Sequence, residues 1–393
     1  VNDSSPTFYE FFAGGGMARA GLGAGWRCLF ANDFDAMKAA TYAENWGQDH
    51  FIRGDVAKLR PSDLPGAADL AWASFPCQDL SLAGGYRGLG SATAGVKTRS
   101  GTFWPFWELI KSLKAEGRAP RMVVLENVVG VLTSRGGKDF SAICAALADA
   151  EYRFGAIVAD ARDFVPQSRQ RVFFIAVARG VAIPRKLEAS AAGRKWHPSG
   201  LVKAQAATPA TARRNWVWWN LRTPAVRSKI LADVIEDDPD GVAWHTLEQT
   251  AHILRLMSPI NHAKLDAAKR AGRTIVGGVY RRTRPDEKGV KRQRAEVRFD
   301  DVAGCLRTPS GGSSRQTILV VDGDQVRSRL LSPREAARLM GLDDDYKLPV
   351  RYNDAYHVAG DGVCAPVVRH IASSLLEPIL AANGIVEELL AAE

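Results

Sequence analysis

Cysteine is scarce in this chain, with five residues (Cys28, Cys77, Cys144, Cys305, Cys364) among 393. None has the paired spacing of a zinc site or a disulfide framework, which excludes a stapled secreted scaffold and fits a reducing compartment. Long apolar runs are missing too: nothing approaches the roughly 18 residues that suggest a membrane crossing. The opening Val1-Asn2-Asp3-Ser4-Ser5-Pro6 lacks the basic and apolar regions of a secretion signal. There is no internal repeat and no long low-complexity tract, and His245, His252 and His262 have no partner pattern for a metal. These absences predict a soluble intracellular protein that uses neither membrane nor metal.

What is present is a chain large enough, at 46% hydrophobic, to bury a substantial core in two domains or in one with a large insertion. Its net charge of +9 is unevenly placed. Residues 185–300 hold 23 Lys and Arg against 12 Asp and Glu, a balance of +11, and the remainder carries −2. A merely solvated surface spreads its charge, so this concentration predicts a polyanionic partner.

Residues 8–180 alternate short apolar runs with longer amphipathic stretches, the pattern of βα units on a parallel sheet. Strands are expected at 7–12, 26–32, 69–75, 122–126, 152–160 and 171–177, and helices at 17–24, 34–45, 102–116 and 139–150. After Gly180 the rhythm breaks. Stretches 185–215, rich in Ala, Pro, Lys and Arg, and 270–315, rich in Gly, Arg and Thr, read as loops and short strands of a separate irregular module. Trp216, Trp218 and Trp219 read as that module's small core. Helical patterning returns at Ser332, an N-cap with Pro333 at the first helical position and Glu335 completing a capping box. A last apolar helix, 365–380, is expected to pack on the sheet.

Several turns carry chemistry. Phe12-Ala13-Gly14-Gly15-Gly16 joins a strand to a helix, where glycine lets backbone approach a ligand and aims helix N–H groups at it. Asn32-Asp33-Phe34-Asp35 ends the next strand, with an acid placed for ribose hydroxyls, and Gly54-Asp55-Val56 forms a third such turn. Three ligand-facing turns in register favour an adenosine-containing cofactor over plain turn chemistry. Pro76-Cys77-Gln78 follows the buried run 69–75; alone, Cys77 reads as a buried inert thiol. Glu126-Asn127-Val128 ends an apolar strand, and a carboxylate there is costly unless paired. It serves either as a structural cap or as a proton-sharing acid. Gln167-Ser168-Arg169-Gln170-Arg171 precedes another apolar strand, suited to phosphate or base contacts or to a solvated edge.

In this order, together with Arg99-Ser100-Gly101-Thr102, the Pro333-Arg334-Glu335 helix and Gly360-Asp361-Gly362-Val363, these motifs resemble the bacterial DNA (cytosine-5)-methyltransferases. The match covers roughly residues 7–180 and 325–375. The resemblance implies an α/β fold, a Rossmann-like S-adenosylmethionine-dependent methyltransferase sheet with a second, smaller, irregular target-recognition domain. The expected catalytic domain is 1–185 plus 345–393; target recognition and a bridging helix take 186–344. The cofactor implied is S-adenosylmethionine, leaving as S-adenosylhomocysteine. Phe12 stacks on adenine, and Ala13, Gly14 and Gly16 approach the methionine portion. Asp33, where the family more often has Glu, holds the ribose, Phe34 packs on the base, and Asp55 accepts from the adenine amine, with Val56, Pro76, Asp361 and Val363 completing the site.

The resemblance makes Cys77 the nucleophile that attacks carbon 6 of a flipped-out cytosine, which turns carbon 5 into a methyl acceptor. Glu126 shares a proton with ring nitrogen 3, Asn127 holds that backbone, Arg171 binds the ring carbonyl and Arg169 supports it or Cys77. The glycine-rich stretch 78–100, with Gln78, Ser81 and Arg99 as DNA contacts, has the composition of a loop closing over the base. In the basic module Arg281, Arg282, Arg284, Arg292, Arg294 and Arg315 are candidate groove-facing loop residues, not separable into phosphate and base contacts. Asp361 stands where the family has Asn, and an acid there either repels the Cys77 thiolate or bonds backbone.

The reading is therefore a sequence-specific DNA methyltransferase of the bacterial cytoplasm and nucleoid, monomeric, acting on double-stranded DNA, with a cognate restriction endonuclease as an expected partner. The alternatives are a tRNA cytosine-5 methyltransferase and a catalytically silent DNA-binding regulator. Exocyclic amine methylation is disfavoured because the Ser/Asp-Pro-Pro-aromatic motif is absent.

Overall fold

The computed structural model describes residues 5–77, 80, 88–90, 99–285, 289–306 and 315–384. The chain divides into two compact units. One comprises Val1–Asp160, Gln170–Pro224 and Val363–Glu393, the other Ala161–Arg169 and Ala225–Gly362.

The first unit is built on seven strands: β1 (Thr7–Phe11), β2 (Arg27–Asp33), β3 (Phe51–Arg53), β4 (Leu70–Ala73), β5 (Met122–Val128), β6 (Tyr152–Asp160) and β7 (Gln170–Ala178). Their spatial order is β3-β2-β1-β4-β5-β7-β6. The first five pair in parallel, as buried runs separated by helices require. The strand order reverses beside β1, which opens a ligand crevice at the carboxyl ends of the strands. β7 corrects the all-parallel expectation, since it runs antiparallel to both β5 and β6. The link from Asp160 to Gln170 is too short to hold the crossover a parallel return needs.

Helices α1 (Met17–Leu22), α2 (Ala36–Trp46), α3 (Phe103–Ala115) and α4 (Lys138–Asp149) pack on this sheet. Phe103, Phe106, Trp107 and Ile110 of α3 share one buried cluster with Phe11, Phe75, Val123 and Leu125. The same unit takes in helices α5 (Ser199–Ala207) and α6 (Ala210–Arg213) and two short strands, β8 (Glu188–Ala189) and β9 (Trp218–Trp219). The Phe154 N–H donates to the Asn215 carbonyl at 2.9 Å, and the Val217 N–H returns to the Phe154 carbonyl at 2.7 Å. Trp216 packs against Phe140 and Phe154. Trp219 is buried and Trp216 and Trp218 are half-buried, so they pack against a core, but that of the seven-stranded sheet rather than of the basic module. Gly155 makes this possible, because a Cβ there would lie 1.9 Å from the Val217 oxygen.

The second unit is more regular than its composition suggests. Helices α7 (Leu247–Arg255) and α8 (Pro259–Lys269) precede strands β10 (Ile275–Pro285), β11 (Lys291–Arg298), β12 (Thr317–Asp322) and β13 (Gln325–Leu330). The strands form an antiparallel sheet in the order β11-β10-β12-β13. Ile253 and Leu265 from the helices and Met257 from the turn between them pack on Ile275, Val279, Val297 and Leu319. The stretches 281–284 and 291–294, expected as loops, are strand. After the sheet comes α9 (Pro333–Arg338), with its capping box between Ser332 and Glu335 in place. Glu335 also closes a fully buried pair with Arg329, at 2.6 and 2.8 Å. Helix α10 (Tyr352–Asp361) ends the unit. The compact units are thus cut elsewhere than the expected functional domains: 186–224 packs with the first unit and 345–362 with the second.

The last expected helix is two, α11 (Ala365–Ile371) and α12 (Glu377–Ala382), joined by a π turn over Ala372–Leu376. Pro378 has no N–H to return to the preceding turn, which loosens the ladder there. Val368 of α11 packs so closely on α1 that a Cβ on Gly21 would lie 2.4 Å from its Cβ. The helical run Tyr352–Ala382 is long and apolar enough to cross a membrane by composition, yet 72% of its apolar 18-residue window is buried inside the protein.

Candidate active site

Beyond β1 the backbone turns sharply. Phe12 has φ 54°, a left-handed conformation rare for a residue with a Cβ, and Gly14 and Gly16 follow at 57° and 80°. The two glycines serve different ends. A Cβ on Gly16 would strike Trp46 at 2.3 Å, whereas one on Gly14 would meet nothing within 4 Å. Gly16 is thus needed for packing, and the Trp46 indole N–H reinforces it by donating to the Gly15 carbonyl at 3.0 Å. Gly14 borders open space.

The second strand end ties this loop down. One Asp33 oxygen accepts from the Gly14 N–H and the other from the Asp35 N–H, both at 2.8 Å. Burial pushes the Asp33 carboxyl above its ordinary range. Next to it Phe34 leaves 77% of its surface uncovered, an unusual state for a ring. Asn32 reaches across to the Ile52 and Gly54 carbonyls at 2.8 and 3.0 Å, so the second and third turns move as one piece. Asp55 caps its own turn through the Ala57 N–H at 3.0 Å, and Val56 is buried. An open glycine, an uncovered aromatic ring and a carboxylate at one sheet edge fit a purine nucleoside ligand.

Glu10 was not singled out from the sequence. It is buried at 1% exposure, just before the glycine loop; one oxygen accepts the Arg19 N–H at 3.3 Å and the other has no partner among the described residues. Burial pushes its carboxyl up to about 8. The only signal in the sequence was a charge inside an otherwise apolar strand.

Beyond β4, Phe75 is buried and Cys77 is half-buried and in no disulfide. The amide of Asn127 holds this turn: its nitrogen donates to the Phe75 carbonyl at 3.1 Å and its oxygen accepts the Val128 N–H at 2.9 Å. Because β7 runs against β5, Arg171 lies opposite Val128 and its guanidinium meets Glu126 at 3.0 Å. Both side chains are largely buried, so the pairing answers the cost of a carboxylate at an apolar strand end. The strand reversal that the sequence did not announce is what joins two residues 45 positions apart.

Arg169 has a different setting. It is buried and donates to the carbonyls of Leu306, Gly360 and Gly362 at 3.2, 3.0 and 2.7 Å, which makes it a backbone clamp within the second unit. Asp361 closes α10 in that unit, and Val363 is buried at the start of the last segment of the first. Arg99 is exposed at the turn before α3, and its carbonyl accepts the Thr102 hydroxyl at 2.8 Å. Gln78 and Ser81 lie outside the described residues. Within the expected closing loop, Leu80 and Leu89 are buried in the core, and the Leu89 N–H donates to buried Asp139 at 3.2 Å. Arg315 donates to Asn353 at 2.5 Å with its guanidinium over the Tyr352 ring. Arg281, Arg282, Arg284, Arg292 and Arg294 lie on β10 and β11.

Comparison with known proteins agrees with this arrangement. A profile of the family described as C-5 cytosine-specific DNA methylase matches residues 6–377. Type II methyltransferase M.BsuFI of Bacillus subtilis is 24% identical over 379 residues, covering 96% of this chain and 74% of its own. Type II methyltransferase M.HaeII of Haemophilus aegyptius is 26% identical, covering 94% and 92%. Among solved structures, the S. pombe Dnmt2 methyltransferase aligns with a TM-score of 0.57 at 14% identity, over 95% of this chain and 99% of that one. A putative DNA modification methyltransferase from an E. coli prophage gives 0.57 at 16%, over 96% and 100%; both show the shared fold. This chain belongs to the C-5 cytosine-specific DNA methylases.

Proposed function

We propose that this methyltransferase uses Cys77 as its nucleophile and S-adenosylmethionine as its methyl donor, acting on cytosine in duplex DNA at a short specific sequence. The observation that carries the assignment is the Glu126–Arg171 pair at the carboxyl edge of β5, with Asn127 clamping the Phe75 carbonyl two residues before Cys77. A thiolate that adds to carbon 6 of cytosine pushes electron density onto ring nitrogen 3 and makes carbon 5 nucleophilic. Glu126 hydrogen-bonds nitrogen 3 as that charge develops, and Arg171 both orients Glu126 and binds the ring carbonyl oxygen. Asn127 is a positioning residue for the Cys77 turn. Arg169 supports Arg171 or Cys77.

The residues of the glycine loop suit the donor. Phe12, Ala13, Gly14 and Gly16 form its floor, Asp33 and Phe34 take the ribose and adenine, and Asp55 accepts from the adenine amine, with Val56, Pro76, Asp361 and Val363 completing the surround. When bound, the donor supplies an electrophilic methyl group on a sulfonium. The target base must leave the duplex stack, at a cost of a few kcal/mol. Gln78, Ser81 and Arg99 contact the DNA around it. The catalytic domain is 1–185 with 345–393, and target recognition takes 186–344. The enzyme acts as a monomer in the bacterial cytoplasm, paired with a restriction endonuclease.

Duplex DNA carrying 5-fluorocytosine at the target tests the chemistry. Fluorine does not leave as a proton does, so an adduct resistant to denaturation should form on Cys77 once the methyl has transferred. Cys77→Ser should abolish methylation and keep DNA binding. Full activity in that variant, or labelled methyl groups entering RNA and not DNA, would overturn the assignment.

A further inference from the structure

We propose that Trp46 is a positioning residue for S-adenosylmethionine: from the end of α2, its indole N–H holds the glycine loop in the shape that the cofactor binds. The inference rests on the cofactor reading of that loop and goes further by naming what keeps the loop formed.

Three glycines in a row do not hold a fixed turn by themselves. Glycine loses more conformational freedom on ordering than any other residue, and Gly14 and Gly16, like Phe12 before them, sit at positive φ. The shape therefore depends on specific ties. The Ala13 N–H donates to the Asn32 carbonyl at 2.9 Å, and the Gly16 N–H to the Ala13 carbonyl at 2.8 Å. Asp33 accepts the Gly14 N–H at 2.8 Å, and the Gly15 carbonyl accepts the Trp46 indole N–H at 3.0 Å. Of these four ties, the last is the one supplied by a helix.

The indole is itself held. The Arg19 guanidinium lies 5.0 Å from the Trp46 ring and 5.9 Å from the Tyr42 ring. It donates to the Tyr42 hydroxyl at 3.0 Å and also meets His50. Arg19 stands on α1, directly after the loop, so Trp46 is fixed against the same two elements that it joins. A Cβ on Gly16 would lie 2.3 Å from the indole nitrogen, whereas one on Gly14 would meet nothing within 4 Å. The bare Gly16 thus lets the indole reach Gly15, and the open space at Gly14 is left for the ligand. A tie of this kind sets how much of the free protein has the binding shape, and apparent affinity falls with that fraction. One hydrogen bond shifts such an equilibrium about three- to tenfold.

The test is calorimetric titration of the full chain with S-adenosylhomocysteine, with amide hydrogen exchange of the free protein alongside. Trp46→Phe keeps an aromatic ring beside Gly16 and Arg19 and removes the N–H. Its dissociation constant should rise about three- to tenfold, and KM for S-adenosylmethionine should rise in step, with kcat at saturating cofactor near wild type. Exchange at the Gly14 and Gly16 amides should quicken by a similar factor. Trp26→Phe removes a different indole N–H, the one that donates to Glu377 at 2.9 Å, and should lower Tm while keeping the wild-type dissociation constant. The inference fails if Trp46→Phe binds as tightly as wild type, or if Trp26→Phe weakens binding as much, because the effect would then follow stability and not the loop. It fails too if affinity drops while exchange at Gly14 and Gly16 keeps its wild-type rate. Wild-type protein that binds no S-adenosylhomocysteine would instead defeat the cofactor reading beneath it.

Discussion

Replacing Glu10 by Gln separates the burial of an acid beside the glycine loop from everything else the loop does. In the folded protein burial holds the carboxyl at about 8, against an ordinary value of 4.5. Between those values the unfolded chain has released this proton and the folded chain has kept it. Unfolding therefore releases a proton, and the contribution of Glu10 to stability falls as pH rises. It is fully favourable below about 4.5, declines by up to about 1.4 kcal/mol per pH unit, and levels off above about 8. From pH 5 to 7.5 the loss comes to about 3 kcal/mol. Gln keeps the acceptor for the Arg19 N–H and is never charged, so it imitates the protonated acid. Other carboxylates add their own pH dependence to both proteins, which makes the difference between wild type and Glu10→Gln the quantity to read. Urea unfolding at half-unit intervals should show the variant gaining on wild type as pH rises. The gain should be about one molar in midpoint by pH 7.5, for a slope near 3 kcal/mol/M. Curves that stay parallel from pH 5 to 7.5 would refute the buried, protonated Glu10.

Gly155→Ala should leave little folded protein, because the added Cβ meets a backbone oxygen at 1.9 Å and β6 has no room to shift; circular dichroism and soluble yield check it. Arg329→Met leaves Glu335 buried without its cation and should cost about 3–5 kcal/mol in urea unfolding, whereas Arg329→Met with Glu335→Leu should recover most of that. Asn127→Ala frees the Phe75 carbonyl; kcat should fall while KM for DNA holds, and adduct formation on 5-fluorocytosine should slow in parallel. Arg171→Lys should lower kcat more than it raises KM, since the amine cannot hold Glu126 and a ring oxygen in one plane.

Parts of both units were legible because their signals are local. Glycine after an apolar run, an acid some twenty residues on, and the Ser332–Glu335 capping box each depend on neighbours in the chain, and each formed where the pattern indicated. The failures share a physical cause. That β7 runs backwards depends on the length of a connection, not on the composition of the strand, and only the reversal explains why Arg171 meets Glu126. Trp216, Trp218 and Trp219 look alike in any core; which core they join was decided by Gly155, whose missing side chain leaves a gap for the Val217 carbonyl. The basic stretches 281–284 and 291–294 read as loops because arginine has little strand preference of its own. They are strands because Ile275 to Val279 and Val297, just outside them, are anchored under α7 and α8 and carry the pairing outward. A buried anchor with a charged extension is what a strand needs if it is to project into solvent while staying in register. Charge content alone therefore misassigns such segments, and the apolar residues at their base are the better guide.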